Sequence, residues 1–132
     1  MIDSYSYKEI SDLLDVHASE YWQTHFRFDD EPSKNAVKNL GKTSVDNIII
    51  NTIAPVKFLY AQYHGNHQQQ EAALQLLQSI KPEKNNIIAT WEQAGKEAEN
   101  ALQSQAMIQL FHRYCEPKKC LQCAVGLSLI KG

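Results

Sequence analysis

Cys115, Cys120 and Cys123 follow a C-x4-C-x2-C spacing in the segment Phe111-His-Arg-Tyr-Cys-Glu-Pro-Lys-Lys-Cys-Leu-Gln-Cys123, and His112 precedes the first of them by three positions. Thiolates and imidazole are ligands of structural zinc, so a tetrahedral site on Cys115, Cys120, Cys123 and His112 is sterically conceivable. The spacing also echoes the first three ligands of a plant-type two-iron cluster, whose fourth cysteine is missing here. A third chemistry is thiol redox by Cys120 and Cys123. They would sit near a helix N-terminus beside Lys118 and Lys119, both of which favour the thiolate, although nothing around them reads as a βαβ unit. The remaining reading makes all three small apolar residues that pack the last helix. Three neighbouring thiolates repel one another unless a cation neutralises them, so without metal they are expected as thiols. We adopt packed cysteines: no cofactor is expected, and zinc is the ion the motif could hold.

Elsewhere the chemistry is sparse. There is no serine or cysteine nucleophile with a local signature, no HExxH and no phosphate-cradling glycine loop, so catalysis by this chain is not expected. His64 and His67 flank Gly65 at the end of an apolar helix, where a cation suits the helix dipole. Asn47 and Asn51 lie one turn apart beside the carbonyl that Pro55 cannot satisfy. They either line a polar pocket at a kink or satisfy local backbone groups. His25 and Arg27 alternate with Phe26 and Phe28 and could stack on bases. The same aromatics could simply cover a core with their large apolar area.

The elements that must position these residues are helical. The stretch from Ser44 to His64 carries Val45, Ile48, Ile49, Ile50, Ile53, Ala54, Val56, Phe58, Leu59 and Ala61, and leaves no fully polar face over its first three turns. A helix apolar nearly all round is a buried one, and we place it at the centre. Ser44 is its expected cap, Gly65 its stop, and Pro55 the site of a kink. A short amphipathic helix from Tyr7 to Val16 with Ser6 as cap precedes it. Residues 20–28 read as an extended aromatic arm, and Ser33 to Gly41 as a short helix. After Asn66 comes a helix with Ala72, Ala73, Leu74, Leu76, Leu77 and Ile80 inward. A loop at 81–85 leads to a long helical pattern from Asn86 to about Tyr114, in which Gly95 lowers helix propensity and Ala101 to Gln105 is weakly apolar, leaving room for a break. A last helix spans Leu121 to Ile130. The fold class is all-α: five or six helices around the Ile-rich one at 44–64.

The chain has 132 residues and a formal charge of −2. That length suits one domain, and the charge balance argues against a nucleic-acid partner or an acidic membrane surface. No stretch approaches a membrane span, and the first residues lack a basic region followed by an apolar one, so a cytoplasmic location is expected.

Three segments together resemble a known family. They are Ser19-Glu-Tyr-Trp-Gln-Thr-His-Phe-Arg-Phe28; Leu40-Gly-Lys-Thr-Ser-Val-Asp-Asn-Ile-Ile-Ile-Asn-Thr52 with Pro55; and Ser104-Gln-Ala106 with Tyr114-Cys115 and Lys119-Cys-Leu-Gln-Cys-Ala-Val-Gly126. The wording is similar to the C-terminal part of an uncharacterised bacterial family, domain of unknown function 2851. The resemblance implies that the chain is a fragment or a free-standing homologue of the tail of a longer protein. It carries over no catalytic residue. It implies that the cysteine motif belongs to the family pattern, and His112 matches nothing in that pattern. The function expected is a helical accessory or interaction domain whose partner is another protein or the missing N-terminal part. The alternative is a metal- or cluster-bearing or thiol redox module built on the C-x4-C-x2-C motif, and a weaker one is nucleic-acid binding through Arg27, Lys34, Lys38, Lys42 and the Lys118-Lys119 pair.

Overall fold

A computed structural model describes residues 6–131, with side chains described through residue 128. The fold is all-α. Among the described residues the only β pairing is an isolated bridge between His17 and Asn39. No helix among them is long and apolar enough to cross a membrane. Contacts divide the chain into two compact units, Met1–Ala73 and Leu74–Gly132.

In the first unit α1 (Tyr7–Leu13) starts at a capping box. The Glu9 backbone N–H donates to the Ser6 hydroxyl, while Glu9 Oε2 accepts from the Ser6 backbone N–H at 2.7 Å. The bonds that the Ser6 backbone N–H and hydroxyl donate to the Glu9 carboxylate hold it below its ordinary range. A carboxylate with a lowered folded-state pKa stabilises the helix above its unfolded pKa, and that support disappears as pH falls through the folded value. Acidification below the usual carboxylate range is therefore expected to fray α1 first. Loss of amide protection at residues 7–10 before any change in α3 would show it.

The aromatic segment is not an extended arm. Glu20–Thr24 forms the short helix α2, and the chain bends beyond it, leaving Phe26 and Phe28 exposed. The helix expected from Ser33 to Gly41 is absent as well. Pro32 and Ser33 imitate a helix start, but the backbone of this stretch runs alongside residues 16–24 and bonds to them. Ser33 N–H donates to the Thr24 carbonyl (2.7 Å), Ala36 N–H to that of Gln23 (3.0 Å), and Ala18 N–H to that of Lys38 (2.8 Å). Long-range backbone pairing has overridden a local signal.

The Ile-rich stretch is helical from Lys42, so Lys42, Thr43 and Ser44 are already wound and Gly41, not Ser44, is the N-cap. It comprises α3 (Lys42–Ile48), a π-helical turn (Ile49–Ile53) and α4 (Ala54–Tyr63). In the π turn the Ala54 N–H reaches the Ile49 carbonyl, five residues back. A wide turn directly before Pro55 accommodates a residue that has no N–H to donate and whose ring crowds the turn behind it. The buried positions Val45, Ile49, Ile50, Ala54, Lys57 and Ala61 follow this winding, since the five-residue step from Ile49 to Ala54 spans the wide turn. The helix is not buried all round. Val56, Leu59, Tyr60 and Tyr63, on the side of α4 opposite Ala54, Lys57 and Ala61, are 52%, 61%, 44% and 86% exposed. α4 stops at Gly65 as expected, and the Asn66 side chain caps α5 (His67–Gln78) by accepting from Gln69 N–H at 3.1 Å.

The second unit carries Ile80, Ile88, Ala101, Ser104 and Cys123 buried. Asn85 caps α6 (Asn86–Gln93). The break in the long pattern falls at Gly95, whose φ of 76° suits glycine and ends the helix with bonds from Gly95 N–H to Glu92 and from Lys96 N–H to Trp91. Asn100 then caps α7 (Ala101–Leu110), its side chain accepting from Gln103 N–H at 3.1 Å. Asn100→Ala is expected to cost about 1 kcal/mol, measurable as a lower urea midpoint with unchanged slope. α7 runs into a second π turn (Phe111–Cys115), a 3-10 turn (Cys120–Gln122) and α8 (Ala124–Lys131).

Candidate functional site

The end of the second unit gathers the cysteines. Cys115 closes the π turn that extends α7, and the chain reverses through Lys118, at φ 56°. Lys118 N–H bonds the Cys115 carbonyl (3.0 Å) and Lys119 N–H that of Tyr114 (2.8 Å). Cys120 then opens the 3-10 turn, and Cys123 N–H returns to the Cys120 carbonyl at 3.2 Å. α8 packs so closely on this turn that a Cβ on Gly126 would lie 2.4 Å from the Cys120 carbonyl oxygen. Glycine is required there by backbone-to-backbone approach.

Cys115, Cys120 and Cys123 line one cavity of about 180 Å³, together with Trp91, Leu110, Tyr114, Val125 and Gly126. Its accessible wall is apolar. Cys123 is 6% exposed, whereas Cys115 and Cys120 are exposed. Desolvation, followed by the nearby Cys123 and Cys120, raises the Cys115 thiol above its ordinary pKa. The indole Nε1 of Trp91 is buried without a hydrogen-bond partner among the described residues. Sequence spacing could bring the cysteines together, but Trp91 and Leu110 join them only through tertiary packing.

His112 lies elsewhere. It is exposed, and its Nδ1 is 2.9 Å from Glu116 Oε2, one turn along. It does not line the cysteine cavity. No group of three or more His, Cys, Asp or Glu side chains among the described residues is arranged to hold a metal ion.

The other candidate residues sit in the first unit. Asn47 and Asn51 are exposed, and the Asn51 side-chain amide donates to the Asn47 carbonyl at 3.1 Å, a bond within one turn. The His25 ring stacks on Tyr21 at 4.2 Å between centroids, with Nδ1 2.9 Å from the Tyr21 carbonyl. Trp22 meets Phe28 edge-on at 4.8 Å, and Lys38 Nζ sits 3.4 Å from the centre of the Phe26 ring while donating to the His25 carbonyl. Arg27 is exposed. The aromatics are thus occupied with one another and with Lys38.

A family model described as a protein of unknown function, DUF2851, matches residues 1–86. The chain belongs to that family. The DUF2851 match includes the aromatic cluster, the π turn and all of α4, while the cysteine segment lies beyond its last matched residue. No curated protein and no solved structure matches the chain.

Proposed function

We propose that this DUF2851 chain is a helical interaction domain, without catalysis of its own, that docks on a protein partner through the outer face of α4. One observation carries the reading: Val56, Leu59, Tyr60 and Tyr63 recur at i, i+3, i+4 and i+7 and all are exposed. Four large apolar side chains at that spacing form the stripe by which a helix enters an apolar groove. Aromatic residues in such a stripe bury much area at low entropic cost. The occupant is an apolar protein surface, on a separate chain or on the further sequence of a longer family member. A net charge of −2 supports a protein partner over a nucleic acid.

A photo-crosslinking residue at position 59 or 63 is expected to give one discrete adduct in cells, and the same residue at position 71 on α5 none. Leu59→Glu should remove the adduct formed from position 63 while changing stability by less than about 0.5 kcal/mol, because the side chain is exposed. Equal labelling from position 71, or no adduct from either site on α4, would refute the docking face.

A further inference from the structure

We infer that Cys120 and Cys123 form a dithiol that exchanges with low-molecular-weight disulfides, the adjacent apolar cavity receiving the apolar part of the substrate. This stands on the second unit alone and is independent of the docking face on α4.

The geometry has three parts. A hydrogen-bonded turn from residue 120 to residue 123 holds its end Cα atoms within about 7 Å. A disulfide needs a separation of about 4.4–6.8 Å, so the pair can close without unwinding the chain. Both residues line the same cavity. Their exposures differ in the sense that exchange requires. Cys120 is open to solvent and can be reached by a substrate, whereas Cys123 is buried beside it. Gly126 holds the turn in place through its contact with the Cys120 backbone.

Cys120, as thiolate, attacks one sulfur of the substrate R–S–S–R. The S–S bond breaks, and the first RS⁻ leaves and takes up the proton that Cys120 gave to water. Cys123 then loses its proton and attacks the Cys120 sulfur, expelling the second thiolate. Two protein thiols are oxidised to one disulfide, and the substrate is reduced to two thiols, with two electrons and two protons transferred. Cys115 lines the same cavity, and desolvation raises its thiol above the ordinary pKa, which favours Cys120 for the first attack.

The test treats the reduced full chain with the neutral bis(2-hydroxyethyl) disulfide, quenches in acid, alkylates and maps tryptic peptides. Cleavage after Lys119 isolates Cys120 and Cys123 in one peptide and leaves Cys115 in another. The expected product has lost two hydrogens in the Cys120–Lys131 peptide, with Cys115 still alkylated. Cys120 should react about tenfold faster than Cys115. Cys123→Ser should stop at a mixed disulfide on Cys120. A bond from Cys115 to either partner, equal reaction of all three thiols, or a mixed disulfide persisting in the unaltered chain would overturn the assignment. So would one tightly bound zinc per chain in freshly prepared, reduced protein, since zinc would occupy these thiols.

Discussion

Ile49→Asp is expected to unfold the first unit, or nearly so, at room temperature. Ile49 is fully buried at the start of the π turn, with Val45, Ile50, Ala54 and Ala61 also buried along the same helix. A carboxylate in that position loses its hydration, and no cation is placed by the substitution to replace it. The loss should exceed about 3 kcal/mol, a large share of the 5–15 kcal/mol that a folded domain commands. Ile49→Val removes one methylene and should cost only about 0.5–1.5 kcal/mol, which separates charge burial from lost volume. Trp22 lies in the first unit and Trp91 in the second. In a Trp91→Phe background the emission therefore follows the unit that Ile49 supports. A melt of that protein within a few degrees of its parent would show that the π-turn segment is not what holds the unit.

Gly126→Ala should destabilise the second unit, against the usual effect of this change in a helix. Replacing a helical glycine by alanine ordinarily stabilises by about 0.5–1 kcal/mol, through the reduced freedom of the unfolded chain. Here the new methyl would stand 2.4 Å from the Cys120 oxygen, 3.0 Å from its carbonyl carbon and 3.1 Å from its Cα. All three atoms are backbone, so no side-chain rotation can relieve the contact. Overpacking of this kind costs about 1–3 kcal/mol, which outweighs the entropic gain. The turn should separate from α8, and Cys123 should become open to alkylation. Unfolding followed by Trp91 emission in a Trp22→Phe background, with the rate of Cys123 modification, reads both effects. A more stable protein with Cys123 still slow to react would show that the close approach is not there.

The features legible in the sequence are those set by a few adjacent residues. Ser6 and Asn66 cap where a short polar side chain precedes an apolar period, and Gly65 ends a helix. Ser33 gave an equally good local signal and was overruled, because its N–H and hydroxyl both bond to Thr24. Phe26 and Phe28 alternate with polar neighbours like a strand, yet residues 20–24 just before them wind into a helix whose Tyr21 and Trp22 engage His25 and Phe28. The exposed stripe on α4 was hidden by its own composition. Apolar residues on both faces read as full burial, and nothing in a residue's type states which of two apolar faces will find a neighbour. The three cysteines were legible as a group from spacing alone, but their cavity was not, since Trp91 and Leu110 come from α6 and α7.

Deleting Thr52 would shorten the step from Ile49 to Ala54 to four residues, the repeat of an uninterrupted α-helix. Val45 and Ile49 would keep their alignment with Ala54, Lys57 and Ala61, and the stripe from Val56 to Tyr63 would still face outward. The narrower turn would, however, press the ring of Pro55 against the carbonyl behind it, at a cost of about 3 kcal/mol. Length and proline are therefore coupled at this turn: the extra residue can be dropped together with Pro55, as in a chain lacking Thr52 and carrying Pro55→Ala. A deletion elsewhere in the helix turns everything after it by about 100° and swings the outward stripe toward the core.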